Sequence, residues 1–132
     1  MSTKTVHVGD EVQLYADQTA APTAPAAGAG KDIRGLRSGG NSEPVQLLEI
    51  VLGETGTTIT LTGPVKIYAE HADRVSYIGK LNGGDDIVIA EDSGHNELLN
   101  YVGIYDRLEI VPASVSGGGG FDAFLSNLGG TR

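Results

Sequence analysis

The chain has 132 residues, 39% of them hydrophobic, with no cysteine, no tryptophan and a formal net charge of −8. One domain with tails fits that length, and the missing cysteines exclude a disulfide framework and any thiolate zinc site. No apolar run approaches the ~20 residues of a membrane-crossing helix, and the acidic charge disfavours nucleic acid and anionic membranes as partners.

Met1–Asp10 contains no apolar core of the kind a signal peptide needs, so none is expected. Val6-His7-Val8 and Glu11-Val12-Gln13-Leu14-Tyr15 read as one or two short strands within residues 1–16. They can add to the edge of the main sheet or pair with a neighbouring subunit, because an exposed edge accepts either.

Residues 17–44 change character. Thr19 to Gly30 holds only Ala, Pro, Gly and Thr. Proline interrupts any helix and nothing there is bulky enough to build a core, so the segment reads as an extended arm. Lys31, Arg34 and Arg37 follow at every third position, with Ile33 and Leu36 between them. This basic patch either docks on an acidic partner or lies as a loop that offsets the acidic body of its own chain.

Residues 45–116 form that body, with twelve Asp and Glu against four Lys and Arg between Asn41 and Pro112. Val45 to Leu52 is almost continuously apolar, as a central strand buried on both faces would be, with a helix as the alternative. Thr57–Thr62 and Val65–Glu70 alternate polar and apolar residues with the period of a half-buried strand. Arg74–Leu81 is a third such run, which places Val75, Tyr77 and Leu81 on one face. Asn82-Gly83-Gly84-Asp85 is a turn whose residues tolerate positive φ. Asp86–Glu91 and Arg107–Pro112 are further strands, and Leu98–Tyr105 packs as a strand or an irregular crossing.

Residues 117–132 begin with four consecutive glycines, read as a flexible linker. Phe121, Phe124, Leu125 and Leu128 then fall at i, i+3, i+4 and i+7, one face of a helix. So short a helix is unstable alone and must dock, either on its own body or in a groove of another subunit. The expected fold is therefore all-β: a small antiparallel β-sandwich, jelly-roll or immunoglobulin-like, with an extended N-terminal arm and a short C-terminal helix on a glycine linker.

Catalytic patterns are absent. His71, Asp73 and His95 are the best candidates for a metal-dependent enzyme, and a lone His-x-Asp is common by chance. Asp85, Asp86, Glu91, Asp92 and Glu97 crowd two turns, but their spacing does not match a calcium loop and plain solvated acids explain them. Neither a cofactor nor a metal is expected, and the chain reads as no enzyme. A carbohydrate- or receptor-binding module is the second reading, with Tyr68, Tyr77, Tyr101 and Tyr105 lining its surface; the lack of tryptophan counts mildly against it.

Thr58-Ile59-Thr60-Leu61-Thr62-Gly63-Pro64-Val65, Tyr77-Ile78-Gly79-Lys80-Leu81-Asn82-Gly83-Gly84 and the arrangement of the tail resemble small virion structural proteins of tailed bacteriophages, especially capsid decoration or cement proteins and head or tail accessory proteins. The resemblance implies a protein assembled in the host cytoplasm and carried on the virion in many copies. It would bind the major capsid protein or other virion subunits, as a dimer or trimer. The expected partner-binding residues are Lys31, Arg34, Arg37, Phe121, Phe124, Leu125 and Leu128.

Overall fold

The structure, a computed structural model, describes residues 11–22, 25–34, 36, 46–53, 57–99 and 105–127. Its strands are β1 (Glu11–Gln18), β2 (Lys31–Asp32), β3 (Gln46–Leu52), β4 (Ile59–Thr62), β5 (Val65–His71), β6 (Arg74–Leu81), β7 (Ile87–Ile89), β8 (His95–Leu99), β9 (Arg107–Val111), β10 (Ser114–Gly117) and β11 (Phe121–Asn127). They form three sheets, ordered β1-β11-β3-β8, β2-β9-β5-β6 and β10-β4-β7. Each pairing is antiparallel. Among the described residues the chain is all-β, as the period-2 patterns predict.

One hydrophobic core joins the three sheets. Leu48, Ile50, Phe121 and Leu125 enter it from the first sheet, Ile67 and Ile110 from the second, and Leu61 and Ile89 from the third. β3 is buried along nearly its whole length, with β11 on one side and β8 on the other, so the central-strand expectation holds and the helical alternative does not.

The C-terminal helix is corrected. Phe121 to Asn127 is a strand, and it lies between β1 and β3 in the middle of its sheet. The segment Phe-Asp-Ala-Phe-Leu-Ser satisfies two periods at once. As a strand it turns Phe121, Ala123 and Leu125 into the core, all fully buried, and sends Asp122, Phe124 and Ser126 to the other face. The waiting backbone edges of β1 and β3 decide the matter: a short helix would leave them unpaired. Leu128 lies outside the described residues.

The glycine run is a packed crossover between β10 and β11. The Thr57 amide donates to the Gly118 carbonyl at 3.2 Å and the Gly53 amide to the Gly120 carbonyl at 3.0 Å. Gly120 has φ 121°, and a Cβ there would sit 2.7 Å from the carbonyl carbon of Asp17, so a side chain at this position meets both backbone strain and a clash.

The face assignment in β6 is also corrected. Ile67 pairs with Gly79 and Tyr68 with Tyr77, which leaves Ile78 as an extra residue, a β-bulge. A one-residue slip flips the faces. Leu81 is consequently in the core while Tyr77 points outward.

The arm is folded onto the body over its second half. The Gly28 amide donates to Glu70 Oε1 at 2.8 Å, Arg107 Nη1 donates to the Gly30 carbonyl at 3.1 Å, and the Ile33 amide donates to the Asp106 carbonyl at 2.9 Å. β2 pairs with β9, and Ile33 and Leu36 are buried in the core.

Candidate interaction surface

The expected partner-binding residues are dispersed. Lys31 and Arg34 are exposed, and Arg37 lies outside the described residues. Arg34 is engaged locally: its Nη2 donates to Asp32 Oδ2 at 2.6 Å, its Nε to Oδ1 at 3.1 Å and its backbone amide to Oδ1 at 2.9 Å. This guanidinium holds the Asp32 carboxyl well below the usual carboxylate range. The patch therefore offsets a carboxylate of its own chain, while Ile33 and Leu36 anchor it to the core. At the other end, Phe121 and Leu125 are core residues and Phe124 is half-buried on the opposite face. The structure does not bring the basic segment and the C-terminal residues into a single site.

Another set of side chains stands out. Tyr77, Val88 and Leu98 are exposed to 53%, 56% and 61%. Each lies on the outermost strand of a different sheet: β6, β7 and β8. Their outward positions follow from alternation. Val88 is the middle of Ile87-Val88-Ile89, whose two isoleucines point into the core. Leu98 precedes the buried Leu99 and stands beside Leu47 of β3. Tyr77 is turned out by the bulge at Ile78 and meets Tyr68 across the hairpin, with ring centroids 5.7 Å apart and planes at 58°.

Two of the three outer strands adjoin one another. β7 lies against β3 and β8. The turn that follows β6 (Asn82–Gly84) is tied to β8, because the Asn82 amide donates to Glu97 Oε1 at 3.0 Å. Its positive φ at Asn82 and Gly83, 53° and 65°, matches the turn chemistry expected there. Among the described residues no strand covers the outer edges of β6, β7 and β8. Such edges offer backbone donors and acceptors to an added strand. Of these residues only Tyr77 was legible as a site candidate. Val88 and Leu98 carried one signal, an apolar residue out of phase with apolar neighbours.

The residues considered for catalysis serve structural ties. His71 Nδ1 is 3.7 Å from Asp106 Oδ2, at the end of the β5–β6 hairpin. His95 Nε2 and Glu97 Oε1 are 2.7 Å apart on β8, in a different sheet. Asp86 Oδ1 accepts the Gly63 amide at 2.8 Å. Among the described residues no group of three or more His, Asp or Glu side chains is placed to hold a metal. Tyr105 packs partly buried against the core, and Tyr101 lies outside the described residues. Comparison with known proteins finds no match: no family model, no curated protein and no solved structure aligns with this chain.

Proposed function

We propose that this chain is a non-enzymatic structural protein of a bacteriophage virion, which decorates and cements the capsid by docking its outer strands on neighbouring subunits. In this reading the three sheets around one core act as a β-sandwich body of jelly-roll or immunoglobulin-like type, used as a dimer or trimer. The observation that carries the reading is the placement of Tyr77, Val88 and Leu98, each on a different outermost strand. Burying one such side chain contributes ~1.5–3 kcal/mol. Association costs at least ~4 kcal/mol in lost freedom, so several contacts must act together. Many copies on a regular lattice supply that multiplicity. The net charge of −8 favours protein surfaces over packaged nucleic acid as the partner.

The test is co-sedimentation of the purified protein with phage particles assembled without it. Saturable binding at a definite copy number is expected. Tyr77→Lys and Leu98→Lys should each weaken it at least tenfold without shifting the melting temperature. Absence of co-sedimentation overturns the reading. The Tyr68–Tyr77 ring pair favours a second one, a sugar- or receptor-binding module, because an exposed aromatic face can stack on a pyranose ring. Binding on a glycan array that Tyr77→Ala abolishes would select it.

A further inference from the structure

Between β1 and the returning arm lies an open cleft of about 490 Å³. Leu14, Tyr15 and Gln18 of β1 line it on one side, Pro22 and Ala29 of the arm on another, and Glu109 of β9 reaches it from the second sheet. Glu109 is only 7% exposed. Its carboxylate makes no hydrogen bond or ion pair among the described residues. Two cations are near and neither pairs with it: Arg107 donates to the Gly30 carbonyl, and Lys31 stands exposed at the rim. Burial pushes the Glu109 carboxyl up.

A carboxylate that burial strips of part of its water, with no partner to compensate, is costly, and a cation that reaches it removes that cost. Leu14, Pro22 and the ring of Tyr15 suit a hydrocarbon stem. A metal ion fits poorly, since no second acidic side chain lines the cleft to share its coordination. An anionic ligand would meet Glu109 and the negative field of the whole chain.

We propose that this cleft binds an alkylguanidinium or alkylammonium group, the side-chain chemistry of arginine and lysine. Its charged head sits on Glu109 and its stem lies against Leu14, Tyr15 and Pro22. Guanidinium is the better fit, because its fork can engage both carboxylate oxygens. The group can come from a free amine or from a partner protein's side chain. This inference is independent of the virion reading and stands or falls separately.

The test is a titration of the full chain followed by backbone amide chemical shifts. The probes are agmatine, the uncharged N-butylurea, and the peptide Gly-Arg-Gly. Agmatine or the peptide should shift the amides of Gln18, Lys31 and Ile110, at least tenfold more tightly than N-butylurea. Glu109→Gln should weaken the cationic probe at least tenfold while the spectrum stays folded. Ala29→Phe, at an exposed position of the arm wall, should block it independently. Binding of agmatine and peptide alike marks the head group as sufficient, as for a free amine. Binding of the peptide alone marks a partner-presented side chain. The proposal is overturned if neither cation shifts these amides, or if Glu109→Gln binds as tightly as the natural chain.

Discussion

The Tyr15 hydroxyl serves both backbone groups of Ile110. It accepts the Ile110 amide at 2.9 Å and donates to the Ile110 carbonyl at 3.3 Å, across 95 positions of sequence. β2 covers β9 only opposite Arg107 and Leu108, so the next backbone pair along that edge has no strand to meet. One phenol from β1 fills the gap and ties the first sheet to the second. The same ring packs on Phe121 at 5.7 Å between centroids.

Removing this hydroxyl should be costly. Tyr15→Phe keeps the ring but strands a buried amide and carbonyl, which costs ~1–3 kcal/mol. Burial, with a smaller contribution from Glu109, pushes the phenol up to about 12, against the opposing effect of the Ile110 amide. The folded state thus holds this proton more tightly than the unfolded chain does. Stability should fall as pH rises from about 10 towards 12, and Tyr15→Phe should remove that part of the slope. Urea unfolding at pH 8 and at pH 11 reads both effects.

Phe121→Ala should destabilise by ~3–5 kcal/mol, because the side chain is fully buried in the core. Phe124→Ala, on the opposite face and half-buried, should cost clearly less. A chain ending at Ser116 loses the strand between β1 and β3 and should fail to fold cooperatively, as circular dichroism and urea unfolding would show. A folded, fully stable chain ending there would contradict the strand assignment.

Gly120→Ala should cost ~1–3 kcal/mol through its φ of 121° and the crowding against Asp17. Gly83→Asn is the control. Gly83 has φ 65°, which asparagine tolerates, and its Cβ would meet nothing within 4 Å. Thermal melts of the two variants should differ accordingly.

Glu109 carries a pH signature of the opposite kind from a salt-bridged acid. Tyr15 of β1, Lys31 of β2, Tyr68 of β5 and Arg107 on its own strand surround it, and none pairs with its carboxylate. Its folded pKa lies above the unfolded value. Its protonated form is favoured by folding, so its contribution is fully present below the ordinary glutamate range and lost as pH rises through the raised value. Glu109→Gln should raise the melting temperature at pH 7 and flatten the dependence between pH 4 and pH 7. An unchanged profile would mean that burial leaves the carboxylate indifferent.

Local pattern alone determined much of this protein. The alternation in Ile59–Thr62 and Val65–Glu70, the apolar run of β3 and the turn at Asn82–Gly84 each encode a backbone state within a few residues. The same patterns declare which side of a strand is apolar. They do not declare which strand lies beside it. Residues 121–127 fit both a helical and a strand period, and only the open edges of β1 and β3, far away in sequence, select the strand. The bulge at Ile78 exposes Tyr77 because β5 sets the register, and no composition rule in β6 predicts it. The Tyr15–Ile110 tie and the burial of Glu109 arise only where β1, β9 and the arm meet. Periodicity is written within one segment, whereas partner, register and burial are properties of two or more segments, and these the tertiary structure decided.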